Sequence, residues 1–149
     1  MQTFLPYDNY ADCAYCLDNK RLGKQRVESK QILIALGHGV GQHRGDIQSR
    51  WRSHPAVRMW RGYERELARY SAAICREWRS RGFKDSLLPQ FEDLCNSLHG
   101  FNVPPWLGRV ELHSSHRSNL LRKLHGHYSR FGWSEPSDMP YWWPTDNGL

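Results

Sequence analysis

A chain of 149 residues with a hydrophobic share of 39%, seven Trp and seven Tyr is long enough to bury one core and too apolar to remain disordered. Its net charge of +6, with Arg well ahead of Lys, favours a polyanionic partner, nucleic acid first. No apolar run approaches a membrane span. The opening "MQTFLPYDNY" lacks a basic region followed by an apolar one, so no signal peptide is expected and the expected location is the cytoplasm.

The first long element is predicted over "LDNKRLGKQRVESKQILIAL", Leu17 to Leu36. At helical spacing, Leu17, Leu22, Ile32, Leu33, Ala35 and Leu36 share one face. Glu28 and Arg21 fall inside that apolar arc, with Lys24 and Gln31 at its border. A carboxylate on a core-facing side must be paired or protonated. One account is a structural ion pair that ties this helix to a neighbour. The other is a hollow in which cations hold an anionic substrate and the carboxylate does acid, base or electrostatic work. An exposed salt bridge would not need the apolar side, so this stretch reads as a pocket wall.

"LGHGVGQHRGDIQSRWRS" carries four glycines and reads as a long loop. "HPAVRMWRGYERELARYSAAICREWRSRG" then predicts one long helix, capped at Ser53 or His54, with Pro55 in its first turn and Gly82 past its end. Met59, Trp60, Tyr63, Leu67, Tyr70, Ile74 and Trp78 form its apolar face. Arg58, Arg61, Arg65, Arg69, Arg76 and Arg79 lie opposite, as either a solvated face or a phosphate-tracking stripe. A third helix is predicted within "DSLLPQFEDLCNSLHG", and "FNVPPWLGRVEL" follows as a proline-broken loop. "HSSHRSNLLRKLHGHYSRFG" supplies a fourth helix, capped by Ser114 or Ser115 and stopped near Gly126. From about residue 133 the Pro-rich tail "WSEPSDMPYWWPTDNGL" lacks helical periodicity. No stretch alternates with a period of two, so the expected fold is all-α: one compact helical domain over 1–149 with long loops and an aromatic tail.

Smaller clusters carry chemistry too. Cys13 and Cys16 have the spacing of half a zinc knuckle, but Cys75 and Cys95 stand alone, so reduced, half-buried thiols are expected rather than a metal site. His113 and His116, three apart, lack a third ligand nearby. Ser114, Ser115, His116 and Arg117 at a helix start would instead make an anion site. His54 sits at another helix start beside Arg50 and Arg52. Tyr141, Trp142 and Trp143 either seal the core or offer a stacking surface for an unpaired or flipped base.

"LDNKRLGKQRVESKQIL", "RWRSHPAVRMWRGYERELARYSAAICREWRSRGF", "SHRSNLLRK" and "MPYWWP" together resemble small bacterial and phage proteins grouped with the pyrimidine-dimer DNA glycosylases of the phage endonuclease V type. The resemblance runs from Met1 to about Pro144. It implies an all-helical domain that binds duplex DNA as a monomer, kinks it and flips a nucleotide, without metal or cofactor, in a bacterial or phage-infected cell. In the characterised enzyme the N-terminal amine attacks the sugar C1′ with a glutamate nearby. Glu28 matches that glutamate, and Arg21, Lys24 and Arg26 match its basic helpers, although Val27 separates Arg26 from Glu28 where the family enzyme has the two adjacent.

An amine nucleophile at residue two requires loss of Met1, which normally needs a small second residue. Gln2 is large, so Met1 is expected to stay. Hydrolysis of the glycosidic bond then takes precedence, with Glu28 steering water or stabilising an oxocarbenium-like sugar. Lys24 is a substitute amine if burial lowers its pKa. The expected catalytic set is thus Glu28, Lys24 and Arg21. The set expected to hold DNA or the flipped nucleotide is Arg26, Gln31, His54, Arg65, Arg69, His116, Arg117, Arg122, Lys123, Trp142 and Trp143. The expected activity is excision of a damaged or modified pyrimidine. An enzyme acting on hypermodified phage bases or free nucleotides, and a non-catalytic nucleic-acid-binding module, are the alternatives.

Overall fold

The computed structural model describes residues 1–149 as an all-helical fold. Seven α-helices follow in order: α1 Tyr10–Cys16, α2 Asn19–Ala35, α3 Pro55–Arg58, α4 Glu64–Ser80, α5 Leu88–Ser97, α6 Val110–Lys123 and α7 His125–Tyr128. Single turns of 3-10 helix stand at Arg50–Ser53, Ser129–Phe131 and Pro144–Asn147. No strand forms, and the only extended pairing is an isolated bridge between Val40 and His43 in the glycine-rich loop. None of the helices is long and apolar enough to cross a membrane.

α2 forms where its periodicity predicts it, and its whole apolar arc, Leu17, Leu22, Ile32, Leu33, Ala35 and Leu36, is buried. Asp18 caps it by accepting the Arg21 backbone N–H at 3.4 Å. At Gly23 a Cβ would sit 3.0 Å from the Trp78 ring of α4, so its absence lets the indole come close against α2.

The predicted long helix from His54 to Gly82 is two helices. α3 ends after one turn, and Gly62, at φ +88°, breaks the chain before α4 begins at Glu64. Nothing lies within 4 Å of where its Cβ would be, so backbone conformation alone calls for glycine there. The apolar face survives the break because both pieces pack on the same core. Trp60 meets Trp106 edge-on at 4.8 Å, and Tyr70 and Met59 are buried around them. α6 also departs from expectation, starting at Val110 rather than at the serines. Ser115 is buried within the helix and returns its hydroxyl to Leu112 O at 2.9 Å. α1 went unseen because two turns are too short to show a period; Asn9 caps it through the Asp12 N–H at 3.0 Å.

The four cysteines are free thiols, Cys13, Cys16 and Cys75 buried and Cys95 half-buried. The element that organises the centre is not a helix. Gln2, Thr3, Phe4 and Leu5 run through the interior outside any helix, none more than 6% exposed. A buried segment without helix or sheet must find side-chain partners for its backbone. Here the Phe4 N–H donates to Gln25 Oε1 at 2.9 Å, and the Leu5 N–H donates to His116 Nδ1 at 2.8 Å. His113 closes the set by donating from Nδ1 to Leu5 O at 2.7 Å. Side chains of α2 and α6 thereby do the work of neighbouring strands.

Candidate active site

The strap of residues 2–5 delivers its first residue to Glu28. Gln2 N–H donates to Glu28 Oε2 at 3.2 Å, and Gln25 Nε2, three residues before Glu28 on α2, donates to the same oxygen at 3.1 Å. Gln25 Nε2 also reaches Gln2 O at 2.9 Å, so one amide holds both strap and carboxylate. Tyr70 steadies Gln25 in turn. Its hydroxyl lies 2.7 Å from Gln25 Oε1 and 2.9 Å from Phe4 O, with one proton to share between them.

Glu28 is half-buried and forms no ion pair with any Lys, Arg or His. Oε2 carries both hydrogen bonds, and Oε1 carries none within the protein. A structural ion pair, the first of the two accounts for a carboxylate on this face, is therefore not how the fold uses it. Glu28 opens instead on a cavity of about 310 Å³ whose walls include Met1, Gln2, Phe4, Lys20, Arg21, Lys24, Lys123 and Tyr141. That volume is at the small end of ligand sites. Of its four cations only Arg21 has a carboxylate partner, Asp18 at 3.3 Å; Lys20, Lys24 and Lys123 have none. Three uncommitted ammonium groups around one carboxylate make a site for a ligand with negative charge.

Titration behaviour agrees with that crowding. Lys123 is held below the ordinary lysine range by partial burial and by repulsion from Arg21, Arg122 and Lys24, against which Glu28 pulls the other way. His54 stands close enough to feel Glu28. Burial and the positive N-terminus lower its pKa while Glu28 opposes both. Its Nδ1 accepts the Ala56 N–H at 3.0 Å, and Trp143 packs edge-on against the ring at 6.0 Å. Burial raises the Tyr141 phenol.

The remaining sequence candidates separate into groups. Gln31 and Arg26 line a second hollow on the other side of Lys20, Lys24 and Glu28, walled by Gly23, Val27 and Trp78. Arg26 donates from Nε to Asp85 at 2.8 Å and lies over the Trp78 ring, so it ties α2 to the segment before α5. Arg65 and Arg69 line a different groove with Arg76, Tyr10 and Cys95; Arg65 donates to Cys95 O at 3.0 Å and Arg69 pairs with buried Glu66 at 2.7 Å. His116 is fully buried, and Arg117 holds Pro6 O at 2.7 Å and Glu135 at 2.8 Å. Neither stands at a helix start with free N–H groups, because α6 begins a turn earlier. The anion site expected at Ser114–Arg117 does not form, and His113 and His116 converge on Leu5 rather than on a shared ligand. Arg122 is exposed and reaches Ser137 O at 3.3 Å. Trp142 is half-buried under the Arg109 guanidinium. Lys24 is exposed, without the burial expected of it.

Residues 1–89 of the 149 match the family model described as pyrimidine dimer DNA glycosylase. The chain belongs to that family. No curated protein and no solved structure matches it. For a pyrimidine dimer DNA glycosylase family member, the division of labour is informative. The matched region supplies Glu28, Gln25, the strap and three of the four basic side chains, while Lys123 and Tyr141 close the cavity from beyond it.

Sequence reasoning found Glu28, Arg21, Lys24 and Lys123 and missed Gln2, Gln25, Lys20 and Tyr141 as cavity residues. Gln25 did leave a signal. A glutamine one turn before a carboxylate on a buried face is placed to hold it.

Proposed function

We propose that this cavity takes a single nucleotide flipped out of duplex DNA, and that the protein excises a damaged or modified pyrimidine by hydrolysing its N-glycosidic bond. The observation that carries the reading is the state of Glu28: one oxygen fixed by two amide donors, the other uncommitted beside three unpaired lysines. The first oxygen sets the orientation of the carboxylate. The second is free to polarise a water or to stabilise positive charge developing at C1′.

The lysines and Arg21 suit the phosphates that flank an extruded nucleotide, and extrusion is the only way an atom inside a duplex reaches such a cavity. Half-burial of Glu28 strengthens its interaction with charge developing at C1′ relative to water. His54, its pKa lowered by burial and its Nδ1 spent on the Ala56 N–H, has Nε2–H left as a donor on the Glu28 side.

The test is a mass-spectrometric screen for bases released from duplexes carrying hydroxymethylated or glycosylated pyrimidines, and for abasic sugars in duplexes carrying pyrimidine dimers, whose excised base stays joined to its neighbour, with borohydride trapping to detect an amine adduct. Glu28→Gln should cut release by at least about 100-fold. It should leave DNA affinity intact or tighter, since a negative charge near phosphate is removed. Undiminished turnover in that variant would remove Glu28 from the chemistry. Tight, steeply salt-dependent binding with no product from any duplex would make the protein a binding module instead.

A further inference from the structure

Gln2 carries a hydrogen-bond donor that the fold leaves unused. The residue is 6% exposed and lines the cavity beside Glu28. Its amide orientation is fixed, because Oε1 accepts the Thr3 N–H at 2.9 Å, and a flipped amide would set donor against donor there. Nε2 is consequently the group left over, shielded from water and without a hydrogen bond of normal geometry, although it stands near enough to the Tyr141 phenol across the cavity wall to favour its ionised form. A buried N–H₂ with no acceptor is costly, and native proteins keep few of them. Position narrows what the missing acceptor is. The backbone N–H of this same residue rests on Glu28, so Nε2 lies within one side chain's length of the carboxylate.

Resting on the glycosylase reading above, we infer that Gln2 donates from Nε2 to the C2 carbonyl oxygen of the flipped pyrimidine and stabilises the leaving base. With Glu28 serving C1′, that oxygen is the only base acceptor near enough, being three bonds from C1′, whereas the C4 substituent lies across the ring. The step balances as a hydrolysis. The oxygen of water bonds to C1′ as the C1′–N1 bond breaks, and the bonding pair passes to the base, shared between N1 and O2. One water proton moves to Glu28 and then to N1, giving free base and an abasic sugar. A donor on O2 gains strength as charge gathers there, so it favours the transition state over bound substrate. An acceptor-only side chain in its place would repel the same charge.

The experiment uses the full chain and the duplex pyrimidine that wild type releases fastest in the screen above, alongside its 2-thio and 4-thio counterparts, sulfur being the poorer hydrogen-bond acceptor. Single-turnover release by wild type should fall about tenfold or more with the 2-thio base relative to the 4-thio base. Gln2→Met, which keeps length and the backbone N–H, should slow the unmodified base by roughly 10- to 100-fold and no longer distinguish the two thio isomers. Retained rate in Gln2→Met, or an equal loss on all three bases with the 2-thio discrimination intact, would overturn the role. The comparison of thio isomers in wild type stands even where the variant folds poorly: no preference there also overturns it. Neither released base nor abasic sugar from any duplex with wild type would instead overturn the glycosylase reading, and this inference with it.

Discussion

Acidifying the protein from pH 7 to pH 5 should destabilise it by about 2 kcal/mol through His116 alone. His116 is fully buried, accepts the Leu5 N–H at Nδ1, and its pKa is lowered to about 3 by burial, with His113 adding to the effect. In the unfolded chain the ring titrates near 6.5. The folded value is the lower one, so stability is complete above the unfolded pKa and falls as pH drops below it, because only the unfolded chain then takes up the proton. Each pH unit in that window costs about 1.4 kcal/mol per such group, and one and a half units give the figure above. His113, also lowered by burial, acts in the same direction. Asp18, Asp85 and Glu135, all held below their ordinary carboxylate values, add losses only at lower pH, as they protonate. Urea unfolding at pH 7, 6 and 5 measures the slope. His116→Gln, which still offers an acceptor to Leu5, should reduce the drop by about 2 kcal/mol. A flat profile over that range, or a folded-state His116 ring titrating near 6.5 by NMR, would refute the reasoning.

Other perturbations probe the site and its scaffold. Asp85→Ala should cost about 3 kcal/mol of unfolding free energy, read by urea denaturation, because this buried carboxylate pairs with Arg26 and Arg79 and accepts the Leu88 N–H that opens α5. Lys24→Ala and Lys123→Ala should each reduce by about one the slope of log affinity for duplex DNA against log salt, read by fluorescence anisotropy. An unchanged slope would place those lysines off the phosphates.

The sequence marked α2 and its buried face because six apolar residues at helical spacing leave little choice. Glu28 stood out for the same reason, a charge where the period demands an apolar side chain. What holds that charge was not visible. The Gln2 N–H comes from a strap 26 residues upstream, and nothing local announces that an N-terminal segment will be threaded through a helical core. The break at Gly62 was masked by the continuity of the apolar face across it. Arg117 and His116 misled because cation-rich clusters look alike whether they serve phosphate or backbone carbonyls. Lys123 and Tyr141, far along the chain, reach the cavity through tertiary packing that no motif encodes.

The clamp on Leu5 has a consequence for how the molecule is made. Its partner His116 lies 111 residues later, so during synthesis the beginning of the chain waits, unseated, until most of the polypeptide has left the ribosome. A fragment ending where the family match ends would keep Gln25, Tyr70 and Glu28 as partners of the strap but lose both histidines that hold Leu5. Truncation from the far end should therefore loosen the near one.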